Sequence, residues 1–325
     1  MYPSTILLPL ALTASLAAAS PVNTPRATQP RALVYRGPAA CKGCGEAVAK
    51  LLQNSPQNFA ITFVGPNEDD QISAQVLSQA AVYAQPGGPD LNSAYRELKP
   101  HQDEFRDFVQ NGGRYLGFCL GAFLAGSTPG FRLLPEGINA TPERKSEGAQ
   151  VTGTEDTMIQ VDWTYQSSQV SAFGKGETAK NQWLYFQDGA VITGLSGGDN
   201  TTVLGRYSSN GNVAASLTPL GKGYVALVGP HPEAPPEWYR TYRLENPDGI
   251  KYDIGYDFVN AAMEAGPVPA GTDTNTDIRS GTGTGAAKPT SSQESGWSLG
   301  CGRGRGRMTL LNPIGLVVQT ARKLW

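Results

Sequence analysis

The stretch Arg114-Tyr115-Leu116-Gly117-Phe118-Cys119-Leu120-Gly121-Ala122-Phe123-Leu124-Ala125-Gly126 decides how this chain is read. An apolar run ends at Phe118, another begins at Leu120, and Cys119 stands between them with a glycine two residues to either side. This is the pattern of a nucleophile elbow, a strand that turns sharply into a helix and pushes the turn residue out at the carboxyl end of a sheet. Small residues at the two flanking positions let strand and helix approach closely enough to make the turn. Cysteine in place of serine supplies a sulfur nucleophile, and the start of the following helix favours negative charge beside it.

Upstream, Ala32-Leu33-Val34-Tyr35, Phe59 to Val64 and Ala80 to Ala84 are short apolar runs. They are closed by Gly37-Pro38, Gly65-Pro66 and Gln85-Pro86-Gly87-Gly88-Pro89, and they read as strands, the first as a buried one. Glu46 to Gln53 carries apolar residues at helical spacing. Tyr95 to Gln110 is amphipathic, with Leu98, Phe105 and Phe108 as its inner face, and Asn111-Gly112-Gly113 stops it. Strands alternating with helices predict right-handed crossovers and a three-layer α/β domain with a mostly parallel sheet. From Gln150 to Val228 the texture changes to Val, Thr, Tyr and Trp with frequent glycine turns, as in Thr157 to Trp163, which predicts inserted antiparallel hairpins. Gly223 to Val228 is an apolar run suited to rejoining the main sheet, and Tyr256 to Glu264 reads as a closing helix.

A sulfur nucleophile needs a base, and the chain has two histidines, His101 and His231. His231 is the better candidate because it follows the Tyr224 to Val228 run, at a strand's carboxyl end where open sheets place their ligands. Pro232 biases His231 toward extended backbone, and residues two apart in extended chain face the same side, so Glu233 is placed to orient the ring. The backbone N–H groups of Leu120 and of Gly87 or Gly88 are candidates to receive a developing oxyanion. His101 follows Pro100 near a helix start and reads as a surface or capping residue.

Composition narrows the function classes. Across 325 residues, 26 Lys and Arg face 28 Asp and Glu, a net charge of −2 that leaves no general field for a phosphate backbone, so nucleic acid is not an expected partner. Met1 to Ser20 has no charged side chain and an apolar run from Ile6 to Ala19 that ends in small residues. It reads as a signal peptide, residues 1–19, leaving a secreted protein with no membrane attachment after its removal. Residues 20–30 read as a linker, 31–266 as the folded domain and 267–325, rich in Gly, Thr, Ser and Pro, as a disordered tail. Within that tail Arg303, Arg305 and Arg307 read as solvated charge, and Met308 to Trp325 does not read as a lipid-anchor signal. Asn139-Ala140-Thr141 and Asn200-Thr201-Thr202 are glycosylation acceptor patterns. Cys41-Lys42-Gly43-Cys44 is read as a local disulfide or a pair of buried thiols, with a redox pair or a metal site as alternatives. Neither metal nor cofactor is expected, and the partner is a small-molecule substrate or ligand.

These segments resemble a known superfamily. Pro86-Gly87-Gly88-Pro89, Gly117-Phe118-Cys119-Leu120-Gly121 and His231-Pro232-Glu233 look like the oxyanion loop, nucleophile elbow and His-x-Glu of class I glutamine amidotransferase-like domains. Val34-Tyr35-Arg36-Gly37-Pro38 together with Gly117 to Gly126 is most similar to the domain at the N-terminus of fungal biotin-protein ligases, which also occurs alone in secreted fungal proteins. The resemblance covers roughly residues 31 to 265. It implies a flavodoxin-like sheet with Cys119 as nucleophile, His231 as base and Glu233 as its orienter. Glutamine amidotransferases carry His-Gln after the elbow glycine, whereas Ala122-Phe123 stands here, so the residue that holds glutamine is not supplied. Biotin transfer itself is not expected. The expected function is hydrolysis or amide transfer on a small amide or ester through a thioester. The alternatives are a binding module of the same fold without turnover, or a redox protein in which Cys119 is oxidised.

Overall fold

The computed structural model describes residues 29–127, 129–167, 172–195 and 200–267. The expected signal peptide, the linker as far as residue 28, and the tail from residue 268 with Cys301 lie outside the described residues.

The chain enters at β1 (Arg31–Tyr35), crosses through α1 (Cys44–Asn54) to β2 (Ala60–Val64), and passes a short α2 (Ala74–Leu77) to β3 (Val82–Gln85). Next come α3 (Leu91–Leu98), α4 (Gln102–Gln110), β4 (Arg114–Phe118) and α5 (Leu120–Ala125). The amphipathic stretch predicted as continuous over Tyr95 to Gln110 is divided. Pro100 has no N–H to give, and a 3₁₀ turn over Lys99–His101 separates α3 from α4. Its inner face is the predicted one, with Leu98, Phe105 and Phe108 buried. The β-rich segment follows as β5 (Asn139–Pro142), β6 (Thr157–Thr164), β7 (Thr178–Phe186), β8 (Ala190–Thr193), β9 (Thr202–Tyr207), β10 (Val213–Leu220) and β11 (Gly223–Val228). Two helices close the domain, α6 (Pro236–Tyr242) and α7 (Asp253–Glu264), the latter starting three residues before its predicted position.

The strands form one sheet in the order β2-β1-β3-β4-β11-β10-β9-β6-β7, with β8 paired to β10 and to β5. The first five pair in parallel. Counting β11 as the fifth strand, this is the order of flavodoxin-like doubly wound sheets. Every pairing from β10 outward is antiparallel, so the inserted hairpins extend the same sheet, and β11 rejoins it beside β4.

Alternation along the parallel strands builds the layers. Ala32, Val34, Val82, Ala84, Leu116 and Phe118 face α1 and α7, where they meet Val48, Leu52 and Phe258. Leu33, Tyr35, Tyr83, Tyr115, Val225 and Leu227 face the other side, against Leu98, Phe105, Val109 and Leu124. Each fully buried Leu or Phe of these layers stabilises the fold by about 1.5–3 kcal/mol relative to exposure. Two buried charges hold α7 in place. Asp257 accepts from the Trp163 indole (2.9 Å) and from the backbone N–H groups of Gln166 (2.9 Å) and Ser167 (2.8 Å). Arg114, with no exposed surface, donates to the carbonyls of Gly112 (2.7 Å), Ala262 (2.8 Å), Ala265 (2.6 Å) and Pro267 (2.7 Å). The last three lie at the carboxyl end of α7, where a helix exposes carbonyls without partners and favours positive charge.

Candidate active site

Cys119 sits where β4 gives way to α5, with φ 49° and ψ −103°, a positive-φ backbone that a non-glycine residue adopts only under strain. The flanking glycines explain how the turn closes. A β-carbon at Gly117 would lie 2.5 Å from the Gly121 carbonyl oxygen, and one at Gly121 would lie 2.2 Å from that of Gln85. The Cys119 N–H donates to the carbonyl of Val228 (2.9 Å), which ties the elbow to the end of β11, three residues before His231. Because α5 is a single short helix of six residues, its contribution to the sulfur is that of first-turn N–H groups more than of a long dipole.

His231 is fixed from the opposite side. Its N–H donates to the Tyr185 carbonyl (2.9 Å), an isolated bridge from the end of β7. Nδ1 of its ring lies 2.8 Å from Glu233 Oε1, and Cys119 borders the same hollow as the ring. His231 and Glu233 are both buried. Burial of the ring disfavours its protonation, but the Glu233 carboxylate and the Cys119 sulfur outweigh this and hold the imidazole well above its ordinary value. The elbow cysteine and the His-x-Glu pair, distant from each other in the sequence, therefore meet in one cluster.

The glycine loop closes over this cluster. A β-carbon at Gly87 would lie 2.8 Å from His231 Cε1 and 3.7 Å from Cys119 Cβ. At Gly88 it would lie 2.3 Å from Leu120 Cδ2. Gly87, Gly88 and Leu120 thus all border the sulfur's surroundings. Cys41 and Cys44 are joined by a disulfide, and the Cys41 N–H donates to the Gly87 carbonyl (3.0 Å), so this loop is part of the site's wall.

Cys119 is 7% exposed and lies where two hollows meet. One, of about 410 Å³, is lined by Leu91, Phe123, Asp90 and Asp188. The other, of about 330 Å³, contains His231 and is lined by Asp156, Tyr185, Trp238 and Tyr242. Gly88, Pro89, Cys119 and Gln187 border both. The sequence reading missed Gln187 and Asp188, which come from the turn joining β7 to β8. The Cys119 thiol donates to the Gln187 carbonyl (3.5 Å), and Asp188 pairs with Arg144 (2.7 Å). It also missed Asp156, Trp238 and Tyr242. Asp188-Gly189 has the composition of a turn, but nothing local says which turn reaches a distant elbow.

The remaining expected residues lie elsewhere. His101 is half-buried and pairs with Glu104 (2.7 Å). Asn139 opens β5, where its side-chain oxygen accepts from the Ser127 and Ala140 N–H groups (3.2 and 3.0 Å), whereas Asn200 is exposed. Among the described residues no group of three or more His, Cys, Asp or Glu side chains is placed to hold a metal ion, and no helix is long and apolar enough to cross a membrane.

A flavodoxin-like parallel sheet, a cysteine at the elbow after its fourth strand and a His-x-Glu after its fifth define a class I glutamine amidotransferase-like domain. Residues 31–253 match the family described as "Biotin-protein ligase, N terminal", and the chain belongs to that family. It is 26% identical over 211 residues to the biotin–protein ligase of Schizosaccharomyces pombe, a match covering 62% of this chain and 33% of that one. The chain thus matches a third of the length of the curated relative. Among solved structures, it is similar to a GMP synthase-type protein from Thermoplasma acidophilum (12% identity, TM-score 0.46, covering 73% of this chain and 96% of that one). It is likewise similar to a ThuA-like protein from Bacteroides uniformis (13% identity, TM-score 0.46, covering 76% and 97%).

Proposed function

We propose that this chain is a secreted cysteine-dependent hydrolase, or an amidotransferase-like enzyme, acting on a small amide or ester. The observation that carries the reading is the hydrogen-bonded pair His231 and Glu233 beside Cys119, whose sulfur lies at the meeting of two hollows. The Cys119 thiol gives its proton to His231, and the sulfur forms a bond to the substrate carbonyl carbon. The negative charge that builds on the carbonyl oxygen is met by N–H groups of Leu120 and the Gly87-Gly88 loop. Collapse breaks the bond to the amine or alcohol, which leaves with the proton from His231, and an acyl thioester remains on Cys119. His231 then takes a proton from water, which attacks the thioester and regenerates the thiol. Glu233 keeps the ring oriented and stabilises its charged form.

Export in the oxidising route is supported by the apolar leader Ile6 to Ala19, by the disulfide of Cys41 and Cys44, and by the exposed acceptor Asn200. N-terminal sequencing of the exported protein should begin at Ser20. Binding without turnover is the second reading, favoured by Phe123, which lines the larger hollow where amidotransferases place glutamine-holding polarity. The deciding experiment is iodoacetamide labelling across pH. Alkylation should map to Cys119 and slow by at least about tenfold in His231→Ala. Equal rates in the two proteins would remove the catalytic reading. A screen against amides and esters, with Cys119→Ala as the blank, then separates turnover from binding.

A further inference from the structure

The smaller hollow has features that hydrolysis alone does not require. Tyr185, Trp238 and Tyr242 line it beside His231, and the Tyr185 ring centroid lies 5.3 Å from Trp238 and 6.4 Å from Tyr242. The ring planes are inclined by 58° and 61°, so the rings make a corner and not a flat platform. Tyr242 is 51% exposed, an unusual position for a large ring in a molecule whose other aromatics are mostly buried. Asp156 stands in the same wall. The Tyr185 hydroxyl donates to its carboxylate. One hydroxyl donor holds a carboxylate but does not exhaust its acceptor positions.

The larger hollow adds carboxylates, whereas the smaller holds two basic side chains, Lys42 and His231, the latter paired with Glu233 (2.8 Å). The larger hollow carries Asp90, which caps α3 through the Ser93 N–H (2.8 Å), and Asp188, which is paired with Arg144. Among the described residues lining the smaller hollow, Lys42 is the one Lys or Arg, and it is exposed on the disulfide loop. That lining therefore holds no arrangement of Arg or Lys side chains resembling a clamp for a carboxylate or phosphate. A corner of aromatic faces with a fixed carboxylate suits a compact cation, because ring faces carry negative charge density and the carboxylate supplies the counter-charge.

We propose that the Tyr185, Trp238 and Tyr242 hollow, with Asp156 in its wall, seats an alkylammonium group of the substrate. The substrates are then amides or esters carrying a positively charged amine a short chain from the carbonyl that reaches Cys119. This rests on Cys119 as the reacting group for the substrate assignment, whereas the ammonium site stands by itself and is tested apart from turnover.

The test uses calorimetric titration of the full chain with n-butylammonium chloride, n-butanol and methyl glucoside. Butylammonium should bind saturably and about tenfold or more tighter than butanol, and Asp156→Asn should weaken it by a similar factor. Asn keeps an acceptor for the Tyr185 hydroxyl, so its melting temperature serves as the folding check, and Trp238→Ala is the second variant expected to weaken binding. Equal affinities for butylammonium and butanol, an unaffected Asp156→Asn, or preference for the glucoside would each overturn the proposal, the last in favour of a sugar-binding wall. The titrations and the Cys119 labelling are made on the same wild-type protein by independent readouts, so a failure of the ammonium site and a failure of Cys119 labelling are read separately. Where ester turnover is measurable, the kcat/KM ratio of p-nitrophenyl 6-aminohexanoate to p-nitrophenyl hexanoate should fall about tenfold in Asp156→Asn.

Discussion

Replacing Gly87 by alanine adds one methyl group at the point where the glycine loop meets the candidate catalytic pair. The new carbon would lie 2.8 Å from His231 Cε1, whereas carbon atoms settle at about 3.5–4.0 Å, so loop or ring must yield by about 0.7 Å or more. The ring has little room to yield. Nδ1 is held at 2.8 Å by Glu233, and its own backbone is held at 2.9 Å by Tyr185. A displacement of about 1 Å in a reacting pair costs about a hundredfold, so Gly87→Ala should slow alkylation or turnover at Cys119 roughly tenfold to a hundredfold. Stability should move much less, because alanine lowers the unfolded chain's entropy by about 0.4–1 kcal/mol, which offsets part of the crowding. The assay pairs a thermal melt with the second-order rate of iodoacetamide labelling. A Gly87→Ala protein that melts normally and labels at the wild-type rate would refute the idea that the glycine is there to make room for the imidazole.

Three further outcomes follow from the packing. Asp257→Ala leaves the Trp163 indole and two backbone N–H groups without their acceptor, and should cost about 3 kcal/mol or more in urea unfolding, with a shift in tryptophan emission. Cys41→Ser with Cys44→Ser opens a four-residue loop, worth about 2 kcal/mol by chain entropy, and dithiothreitol should lower the wild-type melting temperature but not that of the double variant. His231 has its folded pKa raised above the ordinary 6.5 by Glu233 and Cys119 against the opposing effect of burial. Its stabilising contribution is therefore complete below about pH 6.5 and is lost as pH rises through the folded value. Melting temperature should fall on alkalinisation more steeply in wild type than in Glu233→Gln, and parallel curves would contradict this.

The elbow, the glycine loop and the His-x-Glu were legible because each is a local signature: a residue pattern imposed by a tight turn or by alternation along extended chain. The inner parallel strands were legible for a similar reason, since burial on both faces writes an apolar run, whereas the half-exposed edge strand β2 shows in its β-branched and aromatic residues. Gln187, Asp188 and Asp156 were not, because their place beside Cys119 depends on how β6 pairs with β7 and β8 with β10, and a hairpin turn has the same composition wherever it lands. The break between α3 and α4 was present in Pro100 but was outweighed by the apolar spacing that continues across it. Arg114 and Asp257 gave no sign of burial, because a charge becomes a core residue only when another element brings it partners.

The clasp on Arg114 bears on where this domain can be cut. Likeness to the family ends at residue 253, just where α7 begins. A fragment shortened to that limit would keep the arginine sealed at the start of the central strand β4 while discarding three of its four acceptor carbonyls, together with the apolar face of α7 that covers Phe118. Any excised version meant to fold should therefore run through Pro267, a terminus dictated by one side chain reaching across the layers.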